Sequence, residues 1–289
     1  MSYGRPTVER RQLGLMLKKL RELKGVSQND AAREIGRKQT RISRAENGVG
    51  SLAREELARL LDFYGISEDE RATALALGNQ ARKRQRGRTY ADNLPRSFER
   101  LADLQADAEA IGFYETGIVP GLAQSPDYAR AVIMAFDGVW WETSVLEVES
   151  RLEFRMEQQR RVLEAAVPKD ISFVLTETAL DQVVGGVSVL RGQLLHLLQL
   201  SERPNVAVRV LPSSVPDNPL LGGGLITLDF GTSAPRIVFV PVLYGPSTYH
   251  DQEVDTVPMF RAFEAVEKIS LAEESSRTLL IDKLKRIGS

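Results

Sequence analysis

From Gln12 to about Leu77, apolar residues recur at spacings of three and four, and Gly25, Gly36, Gly48 and Gly65 interrupt the pattern. That rhythm predicts five short helices and needs no strand. The first places Leu13, Leu17 and Leu20 on one face, and the second, Gln28 to Ile35, opens on Ser27 as N-cap with Asp30 three residues on. A third runs from about Lys38 to Glu46. The fourth, Ala53 to Phe63, groups Leu57, Leu60 and Leu61, and the fifth covers about 68–77. Past Pro95 the texture changes. Helical stretches at about 96–110, 126–136, 144–166, 188–201, 253–268 and 271–286 alternate with short branched runs at 171–175, 206–211, 225–230 and 237–242 that read as strands. The expected fold class is an all-α N-terminal domain of five helices followed by an α+β C-terminal domain. The expected organisation is a flexible tail at 1–9, a helical domain at 10–78, a basic linker or helix extension at 79–95 and the mixed domain at 96–289.

Composition narrows the chemistry. With 43% hydrophobic and 27% charged residues in 289, the chain has the make-up of a soluble globular protein. No apolar stretch approaches the roughly 18 residues of a membrane span, and residues 1–11 lack the apolar core of a secretory signal, so the cytoplasm is the expected location. The absence of cysteine removes disulfides, thiolate-bound zinc, iron–sulfur clusters and cysteine nucleophiles. His196 and His250 stand too far apart for a helical metal motif, and neither a metal nor a cofactor is expected. The net charge of -1 conceals a reversal of sign: residues 1–90 carry 20 basic against 11 acidic residues, and residues 91–289 carry 18 against 28. The first part is thus suited to a polyanion, the second to a protein or small ligand.

The basic part also contains the segment that carries a mechanism. Ala31, Ala32 and Ile35 are small or apolar where two helices must cross closely, Gly36 permits a tight turn, and Ile42 with Ala45 turns the next helix inward, which is a helix-turn-helix arrangement. Around the outside of the third helix fall Gln39, Thr40, Ser43 and Arg44, with no carboxylate among them. Geometry gives Gln a bidentate option on adenine and Arg one on guanine, so these four are the candidate base readers in a major groove. Arg37, Lys38 and Arg41 are placed to hold phosphates. Gln28, at the N-terminus of the second helix, is a fourth phosphate candidate.

The Ser27-Gln28 entry, the Ala31-Ala32 pair, Ile35-Gly36 and the exit from Ile42 to Gly48 resemble the lambda-repressor-like (Xre, or Cro/CI) helix-turn-helix family over about residues 13–64. The resemblance implies that the position of Gln28 contacts the DNA backbone and that those of Gln39, Thr40, Ser43 and Arg44 read bases. Ala45 departs from the larger aliphatic residue usual there. The remainder resembles the C-terminal region of the actinobacterial WhiJ-like and antitoxin-like regulators: Val119-Pro120-Gly121-Leu122, Tyr128-Ala129-Arg130-Ala131, Arg151, Thr176-Glu177, Ala179-Leu180, Val184-Gly185-Gly186, Gln193-Leu194, the run Arg203 to Val206 and Val210-Leu211-Pro212 carry the likeness. That group implies a transcriptional regulator acting with a small partner protein encoded nearby. The chain departs from it in lacking a glutamate near the end of Val238 to Tyr244 and in having Ala123-Gln124-Ser125.

Read from the residues alone, Gly121 and the Gly185-Gly186 pair serve turns. Gly222-Gly223-Gly224 lacks the lysine of a phosphate loop and reads as a mobile loop, and 212–219 as a long connection. Trp140 and Trp141 cannot both face one core. His196 reads as a packed helix residue. The preferred function is a sequence-specific regulator of double-stranded DNA, a homodimer engaging two half-sites, whose C-terminal domain senses a small protein or small-molecule effector, without catalysis and without a membrane. The alternative is a DNA-targeted enzyme with a catalytic site in the second domain, for which acids such as Glu142 and Glu147 are the available groups.

Overall fold

The computed structural model describes residues 7–82, 89–94, 96–136, 144–242 and 247–287. Five helices come first: α1 (Val8–Leu23), α2 (Gln28–Glu34), α3 (Gln39–Glu46), α4 (Arg54–Tyr64) and α5 (Glu68–Arg82). Strand β1 (Thr89–Ala91), helix α6 (Ser97–Asp107), strand β2 (Ala110–Glu115), helices α7 (Pro126–Ala135) and α8 (Val145–Leu163), and strand β3 (Asp170–Thr176) follow. After them come α9 (Glu177–Asp181), α10 (Val187–Leu200), β4 (Val206–Leu211), β5 (Leu225–Asp229), β6 (Ile237–Val240), β7 (Thr248–His250), α11 (Glu253–Ile269) and α12 (Glu273–Ile287). An all-helical N-terminal region is therefore followed by a region of mixed sheet and helices, as the pattern of the sequence predicts.

Contacts divide the chain into two compact units, Met1–Asp107 with Phe230–Thr256 and Ala108–Asp229 with Val257–Ser289. This division differs from the expected boundary at 96. In the first unit β7 pairs antiparallel with both β1 and β6, so residues from late in the chain return to those that follow α5. The helix start also differs. Helix α1 begins at Val8, inside the stretch read as a tail, because Thr7 caps it and the Val8 N–H donates to Asp251 Oδ2 at 2.9 Å. Helix α5 runs on to Arg82, into the segment read as linker or extension, and most of the basic run at 81–88 lies outside the described residues.

The helical core of the first unit is the one the periodicity marks, with Leu13, Leu17, Ala31, Ala32, Ile42, Leu57, Leu60, Leu61 and Leu77 buried together. Gly14 is essential to it: a Cβ there would overlap the main-chain carbonyls of Ala45 and Glu46, so α1 lies directly against the end of α3. The small Ala45 fits that same close approach.

In the second unit β2, β3 and β4 run parallel, in register at Ile111 with Ile171 and at Phe173 with Val208. Helices cover the crossovers, as parallel pairing requires. Strand β5 pairs antiparallel on the other side of β2, which makes the sheet mixed. The helix expected at about 96–110 is α6, and strand β2, which begins at its end, is an element the sequence pattern does not predict. Its central residues are buried, Phe113 stacks on Phe173 at 5.1 Å, and the Gly112 N–H donates to Thr227 Oγ1. Tyr114, Val174, Leu211, Phe263 and Val266 form a core cluster in this unit.

Candidate nucleic-acid interface

Helices α2 and α3 are set by local chemistry. The Ser27 side chain accepts from the Asp30 N–H at 3.2 Å while Asp30 accepts from the Ser27 N–H at 3.1 Å, a reciprocal cap that satisfies two otherwise orphaned donors. Gly36 closes α2 with φ of +65°, a conformation costly for other residues. Ile35, Ile42 and Ala45 are buried, which fixes the rotation of α3. Lys38 stands at its N-cap without a side-chain bond and is exposed. Thr40 and Arg44 are exposed and Gln39 and Ser43 half-buried.

Two buried carboxylates organise this surface from behind. Glu46 receives Arg21 through Nε at 2.6 Å and Nη2 at 3.0 Å, and Gln28 Nε2 at 2.7 Å. Gln28 Oε1 in turn accepts from Gln39 Nε2, so the first residues of α2 and α3 are joined side chain to side chain. Glu56, on α4, accepts from Arg37 Nε at 2.6 Å, Arg41 Nη2 at 3.0 Å and the Ala53 N–H at 2.9 Å. Burial, the largest single influence, pushes the Glu56 carboxyl upward. The backbone N–H and the two guanidinium groups together outweigh it and bring it down to about 2.

All eight candidate residues therefore lie on α2, α3 and the turn between them. The structure brings Gln28 to Gln39, and Arg37 to Arg41 across Glu56, while Lys38, Thr40 and Arg44 point to solvent. Sequence reading missed the two carboxylates. The signal for Glu56 was present in its position three residues beyond Ala53, where an acid reaches back to a helix's first N–H. The partners of Glu46 are 18 and 25 residues away, and no local spacing announces them.

In the second unit the stretch after β2 is held by buried amides. Gln124 donates to the Val119 carbonyl, Gln159 to those of Gly121 and Gln124, and Gln193 to that of Ala123, each within 2.7–2.8 Å. Gly121 begins a short 3-10 turn, and Gly185 and Gly186 form the turn into α10. Glu115, at the end of β2, is pushed up to about 7 by burial. His196 is likewise shifted by burial, downward. Trp140, Trp141 and Glu142 lie outside the described residues. Among the described residues no group of three or more acids and histidines could hold a metal, and no helix is long and apolar enough to cross a membrane.

Two family models match the chain. One, described as a helix-turn-helix domain, covers residues 12–74, and the other, a domain of unknown function (DUF5753), covers residues 98–282. Neither a curated protein nor a solved structure matches it.

Proposed function

The chain belongs to the DUF5753 family, and we propose that it is a sequence-specific transcriptional regulator that reads the major groove of double-stranded DNA with α3. The helix-turn-helix match supports a DNA-binding regulator in general terms. The finer reading rests on one observation: the outward side of α3 presents Gln39, Thr40, Ser43 and Arg44, while Glu46 and Glu56 are buried, Glu46 beneath Arg21 and Gln28 and Glu56 beneath Arg37 and Arg41. Negative charge is withdrawn from the surface that would meet a polyanion. In this reading Gln39, Thr40, Ser43 and Arg44 contact base edges and Gln28, Arg37, Lys38 and Arg41 contact phosphates. The protein acts in the cytoplasm, without catalysis, as a homodimer on two half-sites, because one recognition helix spans only a few base pairs. Residues 96–289 sense a small partner protein or a small-molecule effector, as in the antitoxin-like regulators the sequence resembles.

Selection of the full chain against a random double-stranded library tests the reading. A recurring motif, bound with an affinity that falls steeply with salt, is expected. Recovery of unselected sequence at all salt concentrations would overturn it.

A further inference from the structure

The first unit contains a recess of about 340 Å³ between α6, β6 and β7. Leu94, Phe98, Leu101, Phe239 and Tyr249 wall it. The rings of Phe239 and Tyr249 stand 4.9 Å apart, and Tyr90 stacks behind Tyr249 at 5.8 Å. Phe98 is 70% exposed at the rim of the recess, where a bound ring could pack against it. Hydroxyls of Ser97 and Ser247 and the Asn93 amide supply a few polar groups along an apolar wall. Asp92 contributes no net charge there, because Arg100 Nε donates to it at 2.8 Å and both side chains are buried. A space of this size, apolar, ring-lined and neutral, with a few polar groups, has the make-up of a small-molecule site.

The recess also touches what holds the DNA-binding helices. Gln12, on α1, reaches Asp92 at 3.4 Å and lies beside the Tyr249 hydroxyl, and two residues beyond Tyr249 the Asp251 carboxylate anchors the first N–H of α1. The walls of the recess and the anchors of α1 are thus the same short segments. We infer that this recess is an effector site for a neutral, ring-bearing small molecule, and that its occupancy is transmitted to the DNA-binding helices through Asp92, Tyr249 and Gln12. The inference deepens the regulatory reading given above and rests on it.

The neutral fluorophore N-phenyl-1-naphthylamine serves as the probe, titrated into the full chain. A saturable rise in emission is expected, weakened about tenfold or more by Ser97→Trp, which fills the mouth, and by Phe98→Ala, which removes a wall. Both positions reach solvent, and thermal melts of the two variants check that they fold. The probe is further expected to change DNA affinity at least twofold in the parent chain and not in Ser97→Trp. Unsaturable binding, binding indifferent to both substitutions, or binding with no effect on DNA affinity would each overturn the inference. If the chain selects no DNA sequence, the proposed function fails by itself, and the probe titration still reports on the recess.

Discussion

In the first unit, Arg37 and Arg41 share the buried Glu56 and keep 58% and 40% of their side chains in water, whereas Arg11, paired with Asp107, and Arg100, paired with Asp92, keep only 9% and 7%. The residue types are the same. At Glu56 one carboxylate meets two guanidinium groups, which leaves a surplus positive charge at the surface. Around α1 and α6 each arginine meets its own carboxylate, and Arg11 also lies 4.0 Å over the Phe230 ring. The contrast separates half-exposed arginines, which the proposed function sets against phosphates, from arginines that join segments. A desolvated pair adds little net stability but is expensive to break, while a half-exposed pair is cheap to rearrange around a phosphate.

The sharpest way to break this comparison is to remove one partner of a buried pair. Arg100→Ala strands the Asp92 carboxylate inside the unit and is expected to cost about 3–5 kcal/mol in urea unfolding of the full chain. Its selected DNA motif should stay the same. A loss under about 1 kcal/mol would mean that water reaches Asp92 and that the pair belongs with the exposed ones.

Carboxylates extend the comparison to the second unit, with opposite pH dependence. Between pH 4.5 and about 7 the folded chain keeps a proton on Glu115 that the unfolded chain has released, so stability falls as pH rises through that window. The full drop is roughly 3 kcal/mol, and Glu115→Gln should abolish it. Glu56 stays ionised in the folded chain down to about pH 2, so its contribution is complete above pH 4.5 and lost as pH falls from there. Screening by water around its arginines reduces that contribution to about 1–3 kcal/mol. Melting temperatures of the parent, Glu115→Gln and Glu56→Gln chains from pH 2 to 8 check both signs. Parallel profiles for the parent and Glu115→Gln would show that Glu115 is solvated.

What could be read in advance follows the range of the forces involved. The five N-terminal helices were legible because each buries a stripe whose period is written in a dozen consecutive residues. Strands β3, β4, β5 and β6 were legible as branched runs between turn residues. Strand β2 was not, since Gly112 interrupts its apolar run and its partners Ile171 and Leu228 lie far along the chain. Strands β1 and β7, of three residues each, are too short to show alternation, and they form through pairing, β1 with β7 and β7 with both β1 and β6. The placement of the eight polar residues on α2, α3 and the turn between them was legible because a helix-turn-helix fixes it by spacing alone. Glu46 and Glu56, which orient them, were not, because an ion pair between helices depends on packing rather than on spacing.

Within the exposed group, direct reading of bases should separate from simple attraction. Arg44→Ala and Gln39→Ala are expected to cost about 1–3 kcal/mol on the selected site and much less on random DNA, relaxing preference at particular base pairs. Thermal stability should change little, since Arg44 is exposed and Gln39, which donates to Gln28, is half-buried at the start of α3. Equal losses on selected and random DNA would remove these two from the base-reading set. A double substitution of Gln28 and Gln39 sharpens the test: because the two side chains are bonded, their effects should not add.

The smallest expected effect belongs to Lys38. It stands at the N-cap of α3, where its carbonyl accepts from the Arg41 N–H, which alanine keeps, while its side chain makes no capping bond and is exposed. Lys38→Ala should therefore leave stability unchanged and weaken every DNA sequence alike, by about 0.2–1 kcal/mol. The informative quantity is the salt dependence. Neutralising one phosphate contributes about 0.9 to the slope of log affinity against log salt, and losing Lys38 should lower the slope by about that amount. Arg37 and Arg41 behave differently, because each is already bound to Glu56 and must share its charge between carboxylate and phosphate. Replacing either should lower the slope by less than Lys38→Ala does, and an equal or larger drop would mean that Glu56 releases both arginines when DNA binds.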